Sequence, residues 1–384
     1  MHARTTALTA LAALTLSLGP SGTGRTAERP GDLVSSAPTV FRPLPHQPTA
    51  TRAWHIEYRS TTAKGAPNTV SGTVIVPADG RTRPRPLVTY AVGTVGLADS
   101  CAPSAGFPRG TTVEAGLIQL LTMRGWAVAV TDYEGLGTPG DHTYTVGPAE
   151  GRAVLDAARA AQRLPGAGLS AATPVGIMGY SQGGQAAGWA AELHAGYAPE
   201  LRVKGTAAGG VPADLLAVAA HHHGSTGAGA VLMSAIGQNA AFPELRLDTY
   251  LNERGRRYAD FMKRNCVAID TASGLFREMS EVTVRDPLRQ PDWIRALHAS
   301  DLGTRAPDRP VYLYHGTADH LIPYAIGERL RADWCARRAT LAWRPIPLGE
   351  HVMGAIAGSV PAADWLADRF AGRPPRDDCR SGGA

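Results

Sequence analysis

Short apolar runs that alternate with helix-period segments constrain this chain more than any other feature. Leu87–Val92 (LVTYAV), Trp126–Val130 (WAVAV), Val175–Met178 (VGIM), Val203–Ala208, Val311–Tyr314 (VYLY) and Ala342–Leu348 read as strands. Between them, Val113–Met123 carries Val113, Leu117, Leu120 and Leu121 at helical spacing, Gly151–Leu164 is Ala-rich and amphipathic, and Gln182–His194 is helical. This alternation predicts parallel βαβ units and hence an α/β fold with a mostly parallel sheet. Ahead of it, Trp54–Arg59 and Thr69–Val76 alternate with period two, which predicts an antiparallel pair. From 211 to 306 the rhythm stops. That stretch is irregular and mostly helical, and its Gly/Ala segment Ser225–Gly237 reads as broken. It predicts a helical cap inserted into a core formed by 51–210 and 307–372. Residues 28–50, rich in Pro and Thr, read as an extended arm, and 373–384 as a tail.

The strand VGIM runs straight into Gly179-Tyr180-Ser181-Gln182-Gly183, a G-x-S-x-G pattern. The pattern alone is weak in a chain with 44 glycines. Its context is stronger, because a helix of small residues (Gly183, Gly184, Ala186, Ala187) leads out of it. A strand-to-helix turn of this kind exposes a serine hydroxyl and aims the positive end of the helix at developing negative charge. A serine hydroxyl needs a base, and this architecture orders its partners Ser, acid, His. Asp319 follows the strand VYLY, and His351 follows the strand ending at Leu348. His320 adjoins Asp319, too near along the chain for the two to meet. The expected roles are therefore Ser181 as nucleophile, His351 as general base and acid, and Asp319 as the group that orients His351. The oxyanion donors are expected to be the backbone N–H of Gln182 and one from Thr94 or Val95, in the loop after LVTYAV.

Other features narrow the class. The formal net charge is +5, with charged residues at 18%, and no Lys/Arg cluster is interleaved with aromatics, so nucleic acid is not an expected partner. Met1–Arg4 is a short basic start and Ala7–Gly19 an apolar stretch, too short to span a membrane. Residues 1–27 read as a secretory signal peptide, cleaved near Ala27, Gly24 or Ser21, which predicts a secreted protein. In an exported chain the four cysteines, Cys101, Cys266, Cys335 and Cys379, predict disulfides, with three connectivities open. His221-His222-His223 cannot all converge on one ion and read as a solvated turn, so no metal or other cofactor is expected. Asp132, Tyr133 and Glu134 follow WAVAV at the same sheet edge and are candidates to line the pocket. Leu215, Leu216, Val231, Leu232 and Ile236 are candidates for an apolar acyl pocket or for the cap's own core.

With these residues in place the chain resembles the secretory lipase family, the Candida antarctica lipase A-like group of secreted lipases and esterases. The matching segments include CAPS at 101–104, TDYEGLGTPG at 131–140, GRAVLDAARAAQ at 151–162, GYSQGG at 179–184, AAELHAGYAPEL at 190–201, HGTADHLIP at 315–323 and GEH at 349–351. The resemblance covers roughly residues 50–370. It implies an α/β-hydrolase with an inserted helical cap and hydrolysis of small-molecule or lipid carboxylic esters, with transient contact at lipid interfaces. It supports the Ser181, Asp319, His351 triad. It also implies pairing of Cys101 with Cys266 and Cys335 with Cys379. Some members carry an acidic residue in the oxyanion loop, where this chain has Thr94 and Val95. The alternative is acyl transfer, in which an alcohol replaces water at the same acyl-enzyme.

Overall fold

The computed structural model describes residues 28–81 and 83–380. The expected signal peptide and the last four residues lie outside that range. Among the described residues one sheet contains strands β1 (Leu33–Thr39), β2 (Thr51–Thr61), β3 (Pro67–Pro77), β4 (Leu87–Ala91), β5 (Ala127–Thr131), β6 (Pro174–Tyr180), β7 (Arg202–Gly209), β8 (Val311–Gly316) and β9 (Leu341–Ile346). Their spatial order is β1-β2-β3-β5-β4-β6-β7-β8-β9. The pairs β1–β2, β2–β3 and β3–β5 are antiparallel, and every pairing from β5 to β9 is parallel. β4 lies between β5 and β6, so the chain turns outward in opposite directions on either side of it. A crevice at the C-terminal ends of strands beside such a reversal is where α/β sheets hold ligands.

Helices α1 (Pro103–Gly106) and α2 (Ala115–Met123) precede β5, α3 (Gly147–Arg163) joins β5 to β6, and α4 (Gln182–Tyr197) joins β6 to β7. Between β7 and β8 lie α5 (Leu215–His221), α6 (Ala228–Ala241), α7 (Glu253–Met262), α8 (Val267–Gly274), α9 (Met279–Val282) and α10 (Pro291–His298). α11 (Tyr324–Ala336) joins β8 to β9, and α12 (His351–Phe370) follows β9. The α3–α4 pair packs on one face of the sheet and the α2–α12 pair on the other. Strands β4 and β5, covered on both faces, are fully buried, which explains their unbroken apolar character.

Two elements differ from the sequence reading. β1 lies within the segment read as an arm. Its sequence, LVSSAPT, is mostly solvent-exposed at the sheet edge and shows no apolar alternation. The Ser225–Gly237 stretch is not broken, because most of it belongs to the continuous helix α6. Its glycines permit close approach rather than a break. A Cβ on Gly237 would lie 2.3 Å from the Tyr144 carbonyl oxygen, and one on Gly229 would lie 2.9 Å from that of Asp270.

The inserted helices have an apolar cluster of their own, built around Leu232, Met233, Ile236, Leu247, Met262 and Trp293, with Leu97 and Tyr144 reaching in from the sheet side. Covalent and backbone contacts join them to the loop after β4. Cys101 is bonded to Cys266, and Cys335 to Cys379. Beside the first bridge the Val267 N–H donates to the Val95 carbonyl at 2.8 Å. Gly96 sits at φ 113° there, and a Cβ on it would fall 2.5 Å from the Cys266 Cα, so only glycine lets the two segments meet.

Candidate active site

The turn between β6 and α4 is tight. Ser181 sits at φ 59°, in the left-handed region that side chains rarely adopt. Its neighbours have no room for side chains: a Cβ on Gly179 would lie 2.1 Å from the Gly183 carbonyl oxygen, and one on Gly183 would lie 2.0 Å from that of Ala91. Ser181 occupies the N-cap position of α4, yet its hydroxyl does not cap the helix. It reaches His351 instead, with Oγ 2.9 Å from Nε2.

His351 is the first residue of α12, and its placement follows from that helix start. Glu350, the N-cap residue, accepts hydrogen bonds from the N–H groups of Val352 and Met353. The other ring nitrogen, Nδ1, lies 2.7 Å from Asp319 Oδ2. Asp319 Oδ1 accepts the N–H groups of Leu321 and Ile322 at 2.9 and 2.8 Å. Burial alone would raise the pKa of this carboxyl. The contacts from His315, His351 and the Ile322 N–H outweigh burial and hold it well below the usual carboxylate range. A carboxylate here favours the tautomer with the proton on Nδ1, which leaves Nε2 free to accept the serine proton.

Ser181 and His351 line a cavity of about 520 Å³ with a largely apolar lining, while Asp319 is buried behind His351 and does not line it. That volume is within the range of small-molecule sites. Thr94 lines it, whereas Val95 packs against the main core and does not. Leu215 and Val231 also line it. Leu232 and Ile236 instead belong to the apolar cluster of the inserted helices, and Leu216 is in neither group. Asp132, Tyr133 and Glu134 do not reach the cavity. Asp132 is buried and accepts from Ser71 Oγ and the Ser104 N–H, and the Tyr133 hydroxyl donates to the Val92 carbonyl. His222 is not part of a solvated turn. Its buried ring lines the cavity, with Nδ1 2.9 Å from Ser225 Oγ and Nε2 2.7 Å from the Leu321 carbonyl oxygen. The chain folds it inward because α5 ends against the loop that carries Asp319. No group of three or more His, Cys, Asp or Glu among the described residues is placed to hold a metal ion.

Two carboxyls that the sequence reading did not single out brace this site, Glu114 half-buried in the cavity wall and Glu150 fully buried. Glu114 accepts from the Tyr90 hydroxyl at 2.6 Å and from the Gly93 N–H at 2.7 Å, which fixes the loop that carries Thr94. Glu150 accepts from Gln182 Nε2 at 2.7 Å and from the Thr145 N–H at 2.9 Å. The same Gln182 nitrogen lies 3.2 Å from His142 Nε2. Burial pushes Glu114 up to about 7 and Glu150 up to about 8. Glu150 had a visible signal, since it falls four residues before Val154 on the buried stripe of α3.

A stability consequence follows for Glu150. A carboxyl whose pKa is raised on folding binds its proton more tightly in the native state, so stability falls as pH rises from about 4.5 towards 8. Glu150→Gln removes that titration. In thermal unfolding, the stability of the variant relative to wild type is expected to rise between those pH values, by up to about 1.4 kcal/mol per pH unit. A constant difference would mean that Glu150 titrates normally.

The secretory lipase family model matches residues 108–378. A secreted triacylglycerol lipase of Malassezia globosa is 31% identical over 85% of this chain and 74% of its own length. A probable inactive lipase of Mycobacterium tuberculosis is 30% identical over 87% of this chain and 76% of its own. Among solved structures, Candida antarctica lipase A in its closed state superimposes with a TM-score of 0.81 at 23% identity, covering 91% of this chain and 84% of that one. A rice cell wall degrading esterase of Xanthomonas oryzae gives 0.70 at 18% identity, covering 90% of this chain and 100% of that one. At those identities the solved structures speak for the fold alone. The family match and the Malassezia relative carry the assignment: the chain belongs to the secretory lipase family and is a carboxylic-ester hydrolase with an α/β-hydrolase fold.

Proposed function

We propose that the protein is a secreted serine esterase or lipase that works through an acyl-enzyme on Ser181. The observation that carries this reading is the hydrogen-bonded chain Ser181–His351–Asp319, with contacts of 2.9 and 2.7 Å, whose Ser181 and His351 open onto an apolar cavity. Ser181 Oγ attacks the ester carbonyl carbon while its proton passes to His351 Nε2, and Asp319 stabilises the resulting imidazolium. The carbonyl oxygen becomes an oxyanion, held by the Gln182 N–H at the start of α4 and by the Thr94 N–H. First-turn N–H groups have no acceptor within their own helix. The Gly93 N–H already serves Glu114, which favours Thr94 over its neighbour on that side. Collapse expels the alcohol with the proton from His351. Water then enters and attacks the acyl carbon while giving a proton to His351, and collapse of the second intermediate returns that proton to Ser181 Oγ, releasing the acid and the free serine.

The apolar lining supports lipid-like acyl groups. Each methylene buried contributes about 0.8 kcal/mol, so kcat/KM is expected to rise along a p-nitrophenyl ester series until the cavity is filled. The experiment measures acetyl to palmitoyl esters, with Ser181→Ala as the blank and an added alcohol to reveal acyl transfer. The peak is expected at about eight carbons or longer, with free acid as the main product. A peak at acetyl would assign a short-chain esterase, and an ester as the main product would assign an acyltransferase.

A further inference from the structure

The outward face of α12 is apolar where a surface helix should be polar. Val352, Met353, Ile356 and Val360 are all exposed, and the first charge on that face is Asp364. α2 packs beside α12 and presents a matching row. It starts from Val113, which is 80% exposed, and ends at Met123, which is 75% exposed. At one end the two rows form the rim of the catalytic cavity, because Val113, Leu117, Val352 and Ile356 line it. At the other end an ion pair between Arg124 and Asp364, at 2.7 Å, closes the patch. Continuous exposed apolar surface with a polar boundary marks an interaction site.

We propose that this α2–α12 face docks on a lipid phase, and that ester molecules pass from that phase across the rim into the cavity. The inference rests on the ester-hydrolase reading. Position selects this occupant. A protein seated on the patch would cover the mouth through which substrate must pass, whereas a lipid surface supplies substrate at that mouth. The face is borne by helices that pack on the sheet rather than by the inserted helices, so docking requires no movement of α5–α10. Among the described residues no helix is long and apolar enough to cross a membrane. The contact is therefore a shallow seating of exposed side chains in the interface.

The test uses Met123→Gln, Met353→Gln and Val360→Gln together. None of the three residues lines the cavity, and all are exposed on helices that tolerate Gln. Binding to phosphatidylcholine vesicles is measured by co-sedimentation in a Ser181→Ala background, so that no lipid is consumed. Hydrolysis is measured with Ser181 intact, on emulsified trioctanoin and on dissolved p-nitrophenyl butyrate. The triple variant is expected to lose about tenfold or more in vesicle partitioning and in emulsion rate, with kcat/KM on the dissolved ester within about twofold of wild type. Unchanged partitioning and emulsion rate would overturn the proposal. So would a wild-type dimer that the triple variant dissolves in analytical ultracentrifugation, since the face would then be a contact between copies. A wild type inactive on the dissolved ester would sink the hydrolase reading instead, whatever the vesicles show.

Discussion

Ser181→Ala is expected to lower kcat on p-nitrophenyl esters by about 10⁵- to 10⁶-fold, with KM changed little. The effect is expected to be this large because the variant removes the atom on which the proposed acyl-enzyme forms, while leaving the cavity and the proposed oxyanion donors in place. What remains is water attack aided by binding and by the Gln182 N–H, and those aids alone leave some acceleration over the uncatalysed reaction. The turn itself should survive. The strain at φ 59° is borne by the backbone of the residue, and the hydroxyl makes no helix-capping bond that alanine would remove. Thermal unfolding of the variant is therefore expected to match wild type to within a few degrees. A fluorophosphonate probe should label wild type and leave the variant unmarked. Equal labelling of both chains would place the nucleophile elsewhere.

The three residues that meet as Ser181–His351–Asp319 were legible in the sequence because they obey a local rule. Each lies just beyond the end of an apolar strand, and strand ends can be read from runs such as VGIM and VYLY. The residues that pack around these three obey no such rule. Gln182 meets Glu150 and His142 across 32 and 40 positions, and His222 meets Leu321 across 99. Those meetings depend on how α3 and α5 dock, which a one-dimensional pattern does not encode. Glu150 alone left a trace, as a charge on an apolar stripe. β1 was hidden for a different reason, because an exposed edge strand has no need of apolar alternation. α12 was hidden by its composition: Gly354, Gly358 and Pro361 are poor helix residues. Two of these positions are dictated by tertiary packing, since a Cβ on Gly354 would lie 2.5 Å from the Tyr180 hydroxyl and one on Gly358 would lie 2.4 Å from the Tyr314 ring.

Asp319→Asn is the second large effect, and its direction follows from how the carboxylate is held. Oδ1 already accepts two backbone N–H groups, from Leu321 and Ile322. An amide at this position must present its oxygen to those donors, because its NH₂ cannot accept. The NH₂ then faces His351 Nδ1 at the place where Oδ2 now sits, 2.7 Å away. A donor there selects the opposite tautomer, with the His351 proton on Nε2 and pointing at Ser181. In that state the histidine cannot take the serine proton, so kcat is expected to fall by about 10⁴-fold while substrate binding is retained. Asparagine also removes a charge that the folded state favours. Because the native carboxyl is held below its unfolded value of 3.8, the stabilisation is present above that pH and disappears as pH falls towards the lowered value. The stability gap between wild type and Asp319→Asn is therefore expected to be largest near neutrality and to close in acid. A loss of activity without that closing gap would mean that the carboxylate orients His351 without contributing to the stability of the fold.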